Sequence, residues 1–155
     1  MADAGDLPPF PLDTEKLLGV LAQHAVDYLL VGGSAVLLYG VGIRETYDLD
    51  VVPEPSEENL ERLGAALRAL DAKVITHWSP VDAEIHVDES TFSSDVFAKN
   101  PYLHLLTPLG RIDVLLQVPG APGGFEQLAK RAVKARVGHV EVALPAMEDL
   151  VGTTA

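Results

Sequence analysis

Asp48-Leu49-Asp50 is the spacing in this chain that most clearly suggests chemistry. In a strand, residues two apart project to one face, so both carboxylates stand together while Leu49 and Val51 turn to the core. Like charges held that close push each other toward protonation unless a cation compensates. A hard divalent ion meets the need, since Mg²⁺ is held by one or two carboxylates together with substrate phosphates. The competing reading is a solvated strand face in an acidic protein. Gly32-Gly33-Ser34 is the second feature, set between an expected strand and an expected helix. Glycines there let a phosphate approach the backbone, a helix start offers free N–H groups, and Ser34 adds a hydroxyl. The turn is neither a dinucleotide fingerprint nor a P-loop, and a plain turn capped by Ser34 fits the same residues. The third feature is Asp113. On an expected strand from Arg111 to Val118, Ile112, Val114, Leu116 and Val118 share one apolar face, leaving Asp113 on the other beside Arg111 and Leu115. An acid in mid-strand needs a partner, and an ion pair with Arg111 or a group on another strand would supply it.

The elements that must position these residues follow from pattern. Residues 1–12 carry Pro8, Pro9 and Pro11 and read as a flexible tail; one domain is expected over 13–155. Asp13 is placed to cap a helix whose face is Leu17, Leu18 and Leu21, with Leu12 stapled to Leu17. Tyr28–Val31 reads as a buried strand, Ser34–Tyr39 as a short apolar helix and Tyr47–Val52 as a strand ended by Pro53 and Pro55. Ser56 opens the clearest helix: Leu60, Leu63, Leu67 and Leu70 recur at helical spacing, with Glu57, Glu58 and Glu61 at the positive end of the dipole. Lys73–Thr76 is a short strand, and the stretch from His77 to Asn100 has no clear pattern. Tyr102–Leu106 and Arg111–Val118 read as antiparallel strands across Thr107-Pro108-Leu109-Gly110. Phe125, Leu128, Ala129 and Ala132 form a helical stripe, Val137–Leu144 a hairpin around Gly138, and Pro145 opens a last helix.

Composition narrows the function. The chain has 155 residues, 48% of them hydrophobic, enough for one domain with a true core. A net charge of −12 argues against nonspecific nucleic-acid binding by phosphate neutralisation. With no cysteine there are no disulfides, thiolate metal sites or cysteine nucleophile. No apolar stretch approaches the ~20 residues of a membrane span, and the first dozen residues lack a signal-peptide pattern, so a soluble cytoplasmic protein is expected. His24, His77, His86, His104 and His139 are scattered without metal-ligand spacing and read as ordinary surface or core histidines. Lys130, Arg131, Lys134 and Arg136 form a basic cluster that suits a helix C-terminus, with an anionic acceptor as the alternative. Trp78 is read as core or lid packing in preference to base stacking.

Together, Gly33-Ser34, Asp48-Leu49-Asp50-Val51 and Asp113 within Gly110-Arg111-Ile112-Asp113-Val114-Leu115 resemble the nucleotidyltransferase superfamily of the DNA polymerase beta type. Val31–Val52, with Arg44-x-Thr46-x-Asp48-x-Asp50, is similar to the small bacterial branch of AbiEii-type toxins from type IV toxin–antitoxin systems. The resemblance implies an α+β fold, a mixed β-sheet with helices packed on it in the minimal palm-like arrangement. It implies transfer of an NMP from an NTP to a hydroxyl acceptor with release of pyrophosphate. Asp48 and Asp50 would bridge two Mg²⁺ (or Mn²⁺) ions, and Asp113 would hold the one carrying the attacking hydroxyl. Gly33 and Ser34 would receive the β,γ-phosphates, with Gly32, Arg44 and Thr46 as further nucleotide-binding residues; an Arg44–Asp48 structural pair is the alternative. The acceptor is open between a small molecule, a protein side chain and an RNA end, and an antitoxin is the implied protein partner. Gly32 stands where the family pattern has an apolar residue. The chain ends at Val151-Gly152-Thr153-Thr154-Ala155 without the basic segment that follows in AbiEii-like relatives. A noncatalytic module of the same fold, acting through a protein partner, is the alternative function.

Overall fold

A computed structural model describes residues 13–32, 35, 38–39, 48–77, 84–86 and 92–153. Its elements are α1 (Thr14–Gln23), β1 (Tyr28–Val31), β2 (Asp48–Pro53), α2 (Glu57–Ala69), β3 (Lys73–His77), β4 (Glu84–His86), α3 (Ser94–Lys99), β5 (Tyr102–Thr107), β6 (Gly110–Leu115), α4 (Gly124–Ala129), β7 (Val133–Val137), β8 (Val140–Leu144) and α5 (Met147–Thr153). Six strands form one sheet in the order β1-β2-β6-β5-β3-β4, and β7 and β8 pair separately. Within the larger sheet β2 and β6 run parallel, while the other described pairs are antiparallel. This is the mixed α+β architecture expected from the sequence.

Local chemistry sets the helices. Asp13 caps α1 by accepting from the Lys16 amide at 3.2 Å, and Ser56 caps α2 by accepting from the Asn59 amide at 3.3 Å. Both helices end where a non-glycine residue takes a positive φ, Ala25 after α1 and Asp71 after α2. The leucines of α2 recur every three or four residues, so Leu60, Leu63 and Leu67 are buried on one face. They join Leu17, Leu18 and Leu21 of α1 and Leu49, Val51, Ile112, Val114, Leu103 and Leu105 of the sheet in a single core. Each such side chain contributes about 1.5–3 kcal/mol by leaving water. α2 also packs closely on the turn before α3: a Cβ on Gly64 would lie 1.9 Å from the Phe92 carbonyl oxygen.

Several sequence expectations are corrected. β6 stops at Leu115, and Leu116 and Val118 lie beyond it, Val118 in an isolated bridge with Ala121. The ladder ends there because Pro101, in register with Leu116 and accepting from its amide at 2.8 Å, has no N–H to return the bond. α4 ends at Ala129, so Ala132 lies beyond it, and Lys134 and Arg136 sit on β7, where the hairpin begins four residues before Val137. The unassigned stretch before Asn100 contains β4 and α3. The tail, Leu12 and Trp78 lie outside the described residues. Among the described helices, none is long and apolar enough to cross a membrane.

Candidate metal and nucleotide site

Alternation along the two parallel strands builds the site. On β2, Leu49 and Val51 are buried, so Asp48 and Asp50 face the other way; on β6, Ile112 and Val114 are buried, so Arg111 and Asp113 face with the aspartates. Parallel pairing sets Asp48 beside Arg111 and Asp50 beside Asp113. The outcome is that carboxylate oxygens of Asp48, Asp50 and Asp113 all lie within 4.8 Å of one another. The late aspartate thus meets the earlier pair.

Asp113 is the most enclosed of the three, its side chain 6% exposed. Arg111 grips it with both teeth of its guanidinium, Nε donating to Oδ1 at 3.0 Å and Nη2 to Oδ2 at 3.2 Å. His104 stands directly across the β5–β6 ladder from Asp113, with Nδ1 3.1 Å from Oδ1 and 3.3 Å from Arg111 Nη2.

Burial and like charge govern the other two. Burial, then the charges of Asp48 and Asp113, push the Asp50 carboxyl up to about 8. Asp48 is also raised, by burial first and by Asp113 next, against the opposing pull of Arg111. Asp50 therefore keeps its proton at neutral pH unless positive charge arrives. All-oxygen donors at this separation suit a hard divalent cation, Mg²⁺ or Mn²⁺, and the residues fit it.

Gly32, the departure from the family pattern, has its own reason. β1 brings Val31 opposite Asp50, and the chain turns at Gly32 with φ +74°. A Cβ there would lie 2.1 Å from Asp50 Oδ2, so only glycine leaves the carboxylate its place. Helical backbone at Ala35 and Leu38 follows. Gly33, Ser34, Arg44 and Thr46 lie outside the described residues. Two residues of the basic cluster are paired with acids of other elements: Arg131 Nη2 bonds Asp149 at 2.7 Å, and Lys134 lies 3.5 Å from Glu141. His104 was not read from sequence as a site residue. The signal was available, since a turn at Thr107–Gly110 pairs residue 104 with residue 113.

No family model matches the chain, and no curated protein matches it. Solved structures do match in fold, and two of them carry nucleotidyltransferase names. One is TM1012 from Thermotoga maritima, assigned as a nucleotidyltransferase, with a TM-score of 0.54 at 12% identity over 92% of this chain and 84% of that one. Another is LnuA, a lincosamide antibiotic adenylyltransferase solved with lincomycin bound, with a TM-score of 0.56 at 16% identity over 91% of this chain and 85% of that one.

Proposed function

We propose that this protein is a divalent-metal-dependent nucleotidyltransferase, moving an NMP from an NTP to a hydroxyl acceptor with release of pyrophosphate. The observation that carries the reading is the meeting of Asp48, Asp50 and Asp113 within 4.8 Å on two adjacent strands of a nucleotidyltransferase-type fold. These residues would be the ligands of Mg²⁺ or Mn²⁺. A bound ion of this kind polarises the α-phosphate, lowers the pKa of the attacking hydroxyl and offsets charge on the leaving group. The chain's own part is placement. Asp48 and Asp50 present donor oxygens from one strand face, with Gly32 turning the backbone beside Asp50, and the β,γ-phosphates are assigned to Gly33 and Ser34 on the motif alone. Arg44 and Thr46 serve as further nucleotide contacts. In the transfer, the acceptor oxygen bonds to the α-phosphorus as the bond to the bridging oxygen of the β-phosphate breaks. That electron pair leaves with pyrophosphate, and the hydroxyl proton passes to water.

Among acceptors, a net charge of −12 weighs against an RNA end, and the likeness to LnuA, an antibiotic adenylyltransferase, favours a small hydroxyl compound. A place in the AbiEii-like branch, with an antitoxin partner in the cytoplasm, is part of this reading and rests on Val31–Val52. The test is incubation with each α-labelled NTP, Mg²⁺ or Mn²⁺, and separate pools of small hydroxyl compounds, protein and tRNA. Label transfer to one pool, lost in Asp48→Ala, is expected. Metal-dependent NTP binding without transfer to any pool would favour the noncatalytic module. Transfer that Asp48→Ala leaves intact would overturn the reading.

A further inference from the structure

We infer that Arg111 is a built-in counter-cation holding Asp113 in reserve, so that in the nucleotide-free protein a divalent ion binds through Asp48 and Asp50 and not through Asp113. This rests on the metal-site reading above. Arg111 and Asp113, two apart on β6, project to the same face, so the pairing needs no bend in the chain. The guanidinium engages both carboxylate oxygens, at 3.0 and 3.2 Å, a forked geometry that a lysine could not reproduce. With Asp113 6% exposed and Arg111 17% exposed, water screens the pair little. His104 closes a further side of Asp113, its Nδ1 3.1 Å from Oδ1. An ion drawing on Asp113 must therefore share its oxygens with a shielded, two-toothed cation. The same register places Arg111 beside Asp48, so its charge also opposes a second ion entering the cluster. Arg111 acts through Asp113 and is a positioning residue.

The experiment is Mn²⁺ binding to the full chain without nucleotide, counted by the electron paramagnetic resonance signal of free Mn²⁺. Wild type is expected to take up one ion, lost in Asp50→Asn. Asp113→Asn, which removes one unit charge and leaves Arg111 uncompensated, is expected to weaken binding by about tenfold without abolishing it. Arg111→Met is expected to tighten binding by about tenfold or more, the scale of deleting one unit charge a few ångströms away. Arg111→Met combined with Asp113→Asn is expected to return close to wild type. Asp113→Asn abolishing binding as fully as Asp50→Asn would overturn the inference, as would Arg111→Met binding Mn²⁺ no more tightly than wild type. If Arg111→Met does not fold, the contrast between Asp113→Asn and Asp50→Asn decides alone. Wild type taking up no Mn²⁺ would sink the metal site itself, a failure distinct from that of the Arg111 role.

Discussion

On α2, Asn59 is fully buried and closes on groups of the chain itself. Its Oδ1 accepts from the Asp27 amide at 2.7 Å and from Arg62 Nη2 at 3.3 Å, and its Nδ2 donates to the carbonyls of Asp27 and Glu54, both at 2.7 Å. At the start of β2 the chain does the opposite, gathering Asp48 and Asp50 beside Asp113 so that burial and repulsion hold Asp50 up to about 8. A buried polar group answered from within stiffens the fold, here by tying the loop before β1 and the end of β2 to α2. A cluster of one charge sign set into the same kind of frame costs stability and is kept for what it can bind. The contrast is between a buried amide whose partners lie within the fold and an acidic cluster that the proposed function draws on.

Four substitutions or conditions sharpen that contrast. Asp50→Asn should have the largest effect, lowering Mn²⁺ affinity beyond the ~10–100-fold expected for an outer partner and removing label transfer; the metal-free protein should meanwhile melt higher at pH 8, because repulsion is relieved. Asn59→Ala should lower unfolding free energy by about 2–4 kcal/mol, since it leaves backbone groups of Asp27 and Glu54 unanswered, while Mn²⁺ affinity stays unchanged. Urea titration beside metal titration would show both, and a loss of metal affinity in Asn59→Ala would break the separation. pH comes next. Asp50 keeps its proton in the folded protein up to about 8, whereas an unfolded Asp loses it near ~3.9, so the native state binds more protons between those values. Metal-free stability should therefore fall as pH rises across that window, and Mg²⁺ should restore it most at the upper end. A melting temperature flat from pH 5 to 8 would contradict the electrostatics described. Ser56→Ala should have the smallest effect, about 1 kcal/mol from the lost cap of α2, with no change in metal binding.

Much of this was legible because it depends on short-range periodicity. The same-face placement of Asp48 and Asp50, the α2 leucine stripe with its Ser56 cap and the β5–β6 hairpin all follow from neighbours in sequence. Asp113 was legible as an acid needing a partner, and Arg111 is that partner. What was missed depends on pairing register or on where a strand bends. His104 enters the site only once the hairpin register is worked through. The apolar alternation runs on through Leu116 and Val118 and suggests a strand that long, but the ladder ends where Pro101 has no N–H to return Leu116's bond. Gly32 looked like a loosened motif, and its necessity is visible only with the Asp50 carboxylate beside it. Lys134 and Arg136 looked like the end of a helix because basic residues there suit its dipole, yet they lie on β7.

The parallel alignment of β2 with β6 carries a consequence for assembly. Hairpins such as β5–β6 close over a few residues, but β2 can meet β6 only after everything between them in the chain has been gathered in, and such long loops are entropically slow to close. Asp48 and Asp50 share β2 from the start, so what waits for this long closure is their meeting with Asp113 and its Arg111.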